Sequence, residues 1–403
     1  MLIGDLRIAL LNYICAKQAN DTLHIRIEDT NTENNAEEKA QEILELLPLF
    51  GIAYHDISYQ SHNLKFHQQL ATKLLMDKNA FSCFCTTNPT DSAPYNGTCE
   101  NLKDEEVINN EAPFSIRLRR PSGDIHFSDT IQGEMHVDKN TIDSFMIMHV
   151  DKTPTHHFAC ALDDMLSDIA LVIQGEEHLA NTPKQILIRD YLGYDKQIEY
   201  AHLPTIQHES GDNTPSVKGL LEEGYLPSAI SNYLIMIGNK TPTEIFDLED
   251  AFEWFNLSHI SKSPVKFDLT KLRQINREHI KRQEPMQLAK LLGFASKDLG
   301  ELAKLYTKET STLNEIQPKI EAIMATKSPS AFVDEFKTLQ NIAKEAPYFA
   351  EYADFKAHLE QKSSLTGDNF SQPLRFLLTG ANDGPDLGEI YPHIKHYLGE
   401  IIK

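Results

Sequence analysis

The first thirty residues constrain the fold most, because they read as a helix followed by a strand that ends in carboxylates. The apolar residues at helical spacing are Leu6, Leu10, Tyr13 and Ile14. We expect Asp5 to be the N-cap of this helix, and Gly4 to allow a tight turn that can cradle a phosphate. Residues 24–31 read as the strand. Helix, strand and carboxylates form half of a nucleotide-binding βαβ unit, whose first strand would precede Met1.

Length and composition limit the classes of protein to which this chain can belong. A length of 403 residues predicts two to four domains, and 41% hydrophobic residues can form a substantial core. The net charge of −21 argues against unspecific nucleic-acid binding, and we expect no DNA partner. We find no apolar run of about 18 residues and no signal peptide, so we expect no membrane association. Five cysteines fit a reducing compartment, and we expect a cytoplasmic monomer.

Several motifs resemble those of glutamyl-tRNA synthetases, a family of class I aminoacyl-tRNA ligases. The most specific match is Arg26-Ile27-Glu28-Asp29-Thr30, and His202-Leu203-Pro204 is another. The resemblance covers nearly the whole chain. It implies a Rossmann-like α/β catalytic domain whose parallel sheet lacks its first strand here, with a small β-rich insertion. It also implies an all-α C-terminal domain like the family's anticodon-binding domain.

Periodicity and resemblance together divide the chain into five segments. They are the first half of the Rossmann-like domain (1–79), an acceptor-binding-like insertion (80–150), the second half of the Rossmann-like domain (151–240), a stem-contact region (241–285) and a helical anticodon-binding-like domain (286–403). Within the third segment, the continuous apolar run 169–173 predicts a buried parallel strand.

The insertion contains a candidate zinc site. Cys83 and Cys85, followed fourteen residues later by Cys99, have the spacing of a structural zinc site, and Tyr95 stands four residues before the last cysteine. Some members of the family bind zinc with such an arrangement. The alternative is three reduced cysteines in a small knuckle without metal.

The insertion also contains candidate tRNA contacts. Arg117, Arg119 and Arg120 lie on a predicted strand, and in the family this insertion meets the acceptor end of tRNA. Arginines in such a place could bind phosphates. A solvated strand face explains them equally well.

The resemblance assigns two substrate sites. The glutamate pocket comprises Arg26, Glu28, His156, Cys160 and Gln174, and the ATP site comprises Leu2, Gly4, Asp5, Glu177 and Leu203. Gln174 replaces the family's arginine that holds the side-chain carboxylate of glutamate, and His156 replaces a tyrosine. Losing the arginine–carboxylate pair would cost about 1.5–3 kcal/mol of binding.

The ATP-site signatures depart from the family pattern. Leu2 replaces the first signature's histidine, and the family's lysine loop is replaced by residues 207–218, whose only lysine is Lys218. The resemblance implies ATP, magnesium, glutamate and tRNA, whereas these departures predict weak ATP and glutamate binding and no intact catalytic residue. Three functions fit: a catalytically impaired, tRNA-binding paralogue, an active divergent glutamate–tRNA ligase, or a scaffold without tRNA.

Overall fold

The computed structural model describes residues 1–30, 36–85, 95–207 and 215–403. Most of the stretch that replaces the lysine loop, residues 208–214, therefore lies outside the described residues. The chain divides into two units. Unit 1 comprises Met1–Thr214 and Leu234–Phe267, and unit 2 comprises Pro215–Tyr233 and Asp268–Lys403.

The described strands are all in unit 1. They are β1 (His24–Ile27), β2 (Asp56–Tyr59), β3 (Ala80–Cys83), β4 (Ser115–Leu118), β5 (Ile125–Asp129), β6 (Gly133–Val137), β7 (Met146–Met148), β8 (Leu171–Gly175), β9 (Glu199–Leu203), β10 (Ile206–Gln207) and β11 (Val265–Lys266).

The α-helices occur in both units, and from residue 269 onward the regular structure is helical. They are α1 (Ile3–Ala19), α2 (Ala36–Leu46), α3 (Leu64–Met76), α4 (Asp104–Ile108), α5 (His156–Leu166), α6 (Thr182–Leu192), α7 (Val217–Glu222), α8 (Pro227–Met236), α9 (Leu248–Trp254), α10 (Leu269–Arg282), α11 (Pro285–Leu291), α12 (Lys297–Leu305), α13 (Leu313–Met324), α14 (Val333–Glu345), α15 (Tyr352–Ser363), α16 (Asp368–Thr379), α17 (Leu387–Ile394) and α18 (Leu398–Ile401).

Four sheets join the strands. Parallel pairing connects β1 to β2, β10 to β11, and β8 to β9 to β5, whereas β6 adds antiparallel to β5. The insertion forms the antiparallel sheet β3-β4-β7. These sheets and helices confirm the predicted arrangement of an α/β region, a β-rich insertion and a helical C-terminal region.

The edges of β1 and β8 are not joined by a ladder in the part of the chain that the structure describes. A cavity of about 510 Å³ is lined by His24 at the start of β1, by Ala170 and Leu171 at the start of β8, and by Asn12 and Cys15 of α1. The parallel pair of β1 and β2 and the parallel strands β8, β9 and β5 therefore belong to two separate sheets.

Helix α1 begins earlier than the sequence predicted. Leu2 is its N-cap, and the Asp5 carboxylate accepts the backbone N–H of Leu2 at 3.0 Å from the third helical position. The prediction that Asp5 is the N-cap is wrong, because a carboxylate three residues into a helix can reach back to the cap. The predicted inner face is correct, since Leu6, Leu10 and Ile14 are fully buried.

Arg7 is the largest buried side chain on α1. It is 2% exposed, and its Nη2 donates to the carbonyl oxygen of Ile237 at 2.7 Å. The adjacent Gly238 has φ +67°, and a Cβ at this position would come within 2.6 Å of Val265 Cγ1. This approach of backbone to side chain therefore requires glycine.

Candidate functional site

Four predicted pocket residues converge beside the end of β1. Arg26 Nη1 donates to Asp164 Oδ1 at 2.7 Å, and Arg26 Nη2 lies 3.6 Å from Glu28 Oε1. On α5, His156 and Cys160 are one turn apart, and Asp164 follows one turn later, so all three share a helix face. Helix α5 thereby presents an imidazole, a thiol and a carboxylate to the residues that end β1.

Glu28 is the centre of this group. Its Oε2 lies 3.2 Å from His156 Nδ1, and its Oε1 accepts a hydrogen bond from Cys160 Sγ at 3.2 Å. Burial opposes ionisation of Glu28, but the hydrogen bond and charge of His156, followed by the charge of Arg26, lower its pKa to about 2. The hydrogen bond to Glu28 raises the pKa of His156. The two side chains thus stabilise each other as an ion pair.

Gln174, the fifth predicted pocket residue, makes different contacts. Its Nε2 lies 2.9 Å from Nε2 of His202, which is also 3.0 Å from Thr182 Oγ1. His202 Nδ1 lies 2.5 Å from Asp129 Oδ2, and both side chains are fully buried. Gln174 is thus held by a buried Asp–His pair, and sequence reasoning missed this pair because its members are 73 residues apart.

A second buried polar group was also missed. Asp163 accepts from Gln60 Nε2 at 3.0 Å and from Asn63 Nδ2 at 2.8 Å, and His67 Nε2 lies 2.8 Å from it. It neighbours Asp164 on α5, so two adjacent aspartates serve two networks, which Gln60 joins because its Nε2 also lies 3.9 Å from Cys160 Sγ. The adjacent acidic pair at 163–164 was the only sequence signal for this arrangement.

All five predicted ATP-site positions line one cavity of about 190 Å³ at the N-terminus of α1. They are Leu2, Gly4, Asp5, Glu177 and Leu203. A helix N-terminus attracts anions, but the carboxylates of Asp5 and Glu177 oppose that attraction. Among the described lining residues, Arg7 supplies the positive charge.

The insertion brings three thiols together. The Sγ atoms of Cys83, Cys85 and Cys99 lie within 4.8 Å of one another, and Cys85 and Cys99 are 3.6 Å apart. Tetrahedral zinc with Zn–S bonds of about 2.3 Å separates its sulfurs by about 3.8 Å, so the thiols fit this metal. Burial, with the adjacent Cys99 thiol, raises the pKa of Cys85 to about 12, and a bound cation would favour the thiolate.

Tyr95 lies in the same cluster, which we call the cysteine knuckle (Cys83, Cys85, Tyr95 and Cys99). Its hydroxyl oxygen accepts the backbone N–H of Cys99 at 2.6 Å. Its ring lies 5.7 Å from that of Phe81. The phenol therefore orders the knuckle through the backbone of Cys99, and its oxygen stands where a fourth ligand could come from.

The three predicted tRNA-contact arginines differ in exposure. Arg117 is 9% exposed, donates to Ser144 O at 2.9 Å and lies 4.5 Å from the ring centre of Tyr95. Arg119 is half-buried and donates to the carbonyl oxygen of Glu100 at 2.9 Å. Arg120 is the most exposed, with its Nη2 3.5 Å from Glu100 Oε2. The exposed guanidinium of Arg120 is the one best able to meet a phosphate.

In the described part of the chain, none of the helices has both the length and the apolar content needed to cross a membrane.

Comparison with known proteins gives consistent matches. Residues 1–274 match the family model of class I tRNA synthetases (E and Q), catalytic domain. The chain is 51% identical over 421 residues to glutamate–tRNA ligase 2 of Sulfurimonas denitrificans, covering 100% of this chain and 98% of that protein. It is 49% identical to glutamate–tRNA ligase 1 of Campylobacter jejuni subsp. jejuni, covering 100% and 97%.

A solved structure resembles this chain over its full length. It is a glutamate tRNA ligase from Elizabethkingia meningosepticum in complex with its amino acid, with a TM-score of 0.83 and 21% identity, covering 100% of this chain and 96% of that one. At this identity the likeness establishes the fold, which is that of a class I tRNA synthetase.

Proposed function

The chain belongs to the glutamate–tRNA ligase family of class I tRNA synthetases, and from that premise we propose that it binds tRNA and glutamate but performs the ATP-dependent step slowly. The family reaction attaches glutamate to tRNA at the expense of ATP. Family membership implies magnesium with the ATP. We assign the chain's departures from the family's motifs mainly to the nucleotide side of the site.

The observation that carries the proposal is the cavity at the N-terminus of α1. A phosphate placed there would meet the helix N–H groups and the carboxylate of Asp5, which lies in the first helical turn. Two like charges about 4 Å apart repel by about 1 kcal/mol in water and about 4 kcal/mol at an effective dielectric constant of 20. Glu177 adds a second carboxylate to the same cavity.

The amino-acid side supports glutamate binding more directly. Glu28 is an ionised carboxylate held by Arg26 and His156, and an amino acid's ammonium group could pair with it. Gln174 would offer the substrate's side-chain carboxylate a neutral donor instead of an arginine. We therefore expect glutamate to bind more weakly than in a relative that has arginine at this position, by one to two powers of ten.

Other features belong to the same proposal. We also propose the five segment boundaries given by the sequence, a zinc ion in the cysteine knuckle, and a reducing cytoplasmic location that suits its free thiols. For tRNA, Arg120 is the preferred contact.

An active ligase is the second candidate. The chain is 51% identical along its whole length to a protein named as a glutamate–tRNA ligase, and such similarity favours a common reaction. The two candidates agree on substrates and differ in the rate of glutamate activation.

Pyrophosphate exchange, measured with glutamate, ATP, magnesium and tRNA, separates the two candidates. We expect a rate at least 100-fold below that of the Sulfurimonas denitrificans relative, and retained tRNA binding in a filter assay. Asp5→Asn keeps an acceptor for Leu2 N–H but removes the charge, so it should raise the exchange rate several-fold. An exchange rate equal to the relative's would establish the active ligase instead.

A further inference from the structure

We propose that Glu28, His156 and Cys160 form a second metal site, which binds a zinc-like divalent cation inside the pocket predicted for glutamate. The three residues offer a carboxylate oxygen, an imidazole nitrogen and a thiol sulfur, and these ligand atoms all lie within 4.8 Å of one another. Carboxylate, imidazole and thiolate are each common zinc ligands. This set is separate from the cysteine knuckle.

The distances between the ligand atoms match one small cation. Cys160 Sγ is 3.2 Å from Glu28 Oε1 and 3.6 Å from His156 Nδ1, and Glu28 Oε2 is 3.2 Å from His156 Nδ1. Tetrahedral zinc with bonds of about 2.0–2.1 Å to nitrogen and about 2.3 Å to sulfur separates those two atoms by about 3.6 Å. A cation could therefore enter with small side-chain rotations and no change of backbone.

The scaffold holds two of these ligands rigidly. His156 and Cys160 occupy positions i and i+4 of α5, a spacing that places two ligands on one helix face. Cys160 is 4% exposed, whereas the side chains of His156 and Glu28 are 48% and 39% exposed. The buried thiol and the open outer side leave a fourth coordination position for water or a small ligand, as in catalytic zinc sites.

Neighbouring charges permit a cation here. Arg26 is the cation that opposes a metal, with its Nη2 3.6 Å from Glu28 Oε1. Asp164 offsets that charge, because it accepts Arg26 Nη1 at 2.7 Å. When the metal binds, the Cys160 proton and the proton shared by His156 and Glu28 both leave to solvent, and the thiolate, the neutral imidazole nitrogen and the carboxylate each donate an electron pair. The added thiolate and the two carboxylates balance the charge of the metal and the guanidinium.

A metal at this position would occupy the carboxylate that an amino acid's ammonium group needs. We therefore expect zinc and glutamate to compete, and this consequence rests on the proposed function. The metal site itself rests only on the geometry of its three ligands. Measuring metal binding without glutamate separates the two claims.

Cobalt(II) titration of the full chain tests the site, because cobalt bound to thiolate gives a ligand-to-metal charge-transfer absorption. The cysteine knuckle also supplies thiolates, so it is first filled with one equivalent of zinc. A third group of potential metal ligands, the exposed Asp124, His126 and His136, has no thiolate. His136→Ala is used as the background to remove it.

In this background we expect one further equivalent of cobalt with a thiolate band. Cys160→Ser and His156→Ala should each weaken cobalt binding at least 10-fold, and Cys160→Ser should also remove the band. Cys15→Ala is the matched control, because Cys15 is a free thiol of unit 1 outside the cluster. It should retain the band.

Two results would overturn the site: cobalt uptake without a thiolate band in the background protein, or equal bands in Cys160→Ser and Cys15→Ala. The half-exposed His156 can be removed with little risk to folding, and unchanged fluorescence of Trp254 checks each variant. Unchanged cobalt affinity in folded His156→Ala would equally exclude the site. If cobalt binds at Cys160 but glutamate does not compete with it, the result would count against glutamate binding and not against the metal site.

Discussion

Replacing Asp129 by asparagine should destabilise unit 1 strongly. The carboxylate forms a buried pair with His202, with Oδ2 and Nδ1 2.5 Å apart and both side chains fully buried. Asp129 Oδ1 also accepts the backbone N–H groups of Ile131 and Gln132, at 2.9 and 2.7 Å. Asparagine keeps an oxygen for those two donors, but it replaces Oδ2, which also accepts the backbone N–H of His202 at 3.1 Å, by an amide group.

The size of the destabilisation follows from the burial of Asp129 and His202. In the variant the buried N–H groups of His202 lose their carboxylate acceptor, and each unsatisfied buried donor costs about 1–3 kcal/mol. The free energy of unfolding of a typical domain is about 5–15 kcal/mol. We therefore expect Asp129→Asn to lower the free energy of unfolding of unit 1 by about 2–6 kcal/mol, because two donors lose their acceptor.

Urea unfolding followed by tryptophan fluorescence measures the loss of stability of unit 1. Trp254 is the single tryptophan of the chain and lies in unit 1, where its ring packs 5.0 Å from that of Phe246. The matched control is Asp124→Asn, which breaks the Asp124–His136 pair of 3.1 Å on the exposed surface of the same hairpin. Its midpoint should equal that of the parent within error, because exposed pairs contribute little.

The stability that the Asp129 carboxylate contributes should decrease as the pH falls. Burial raises the pKa of Asp129, but the hydrogen bond from His202 and the backbone N–H groups outweigh burial, so the folded pKa lies below 3.8. A depressed pKa contributes stability above the unfolded value and loses it as pH falls through the folded value. The difference between parent and variant should shrink below about pH 4. Equal midpoints for both variants at pH 7 would refute the reasoning.

Three further predictions concern other parts of the molecule. Cys99→Ser should lower the zinc content of the protein by about one equivalent in metal analysis, because the cysteine knuckle loses a ligand, and no zinc in the parent protein would contradict the site. Arg120→Ala should weaken tRNA binding several-fold in a filter assay and reduce its salt slope by about 1; an unchanged slope would exclude a phosphate contact. Gly300→Ala should lower the thermal midpoint of unit 2 by several degrees, because a Cβ would overlap the carbonyl oxygen of Pro285, whereas Gly399→Ala has open space and should not.

The sequence alone predicted those features that follow from the periodicity of apolar residues. The inner face of α1 follows from a spacing of three to four residues, and Leu6, Leu10 and Ile14 are buried as predicted. The strand predicted at 169–173 exists but runs from Leu171 to Gly175. An apolar run indicates a strand, whereas the residues that begin and end it are set by its pairing with β9.

Contacts between distant residues could not be predicted in the same way. The alternating strand allowed two interpretations of the arginines of the insertion, phosphate contacts or a solvated face, yet Arg117 packs over the ring of Tyr95 and is buried. The resemblance supplied Glu28 and Cys160 as pocket residues, but their 3.2 Å contact joins residues 132 positions apart. No local pattern encodes such a pair, because it depends on how α5 packs beside β1.

The buried guanidinium of Arg7 has a consequence for synthesis on the ribosome. Its acceptor, the carbonyl of Ile237, is made 230 residues after it, and the last residues of unit 1 extend to Phe267. At a translation rate of about 5–20 residues per second, α1 waits on the order of ten seconds or more for that partner. During this time its apolar face lacks its final packing, so the nascent chain should be a substrate for chaperones until position 267 has emerged.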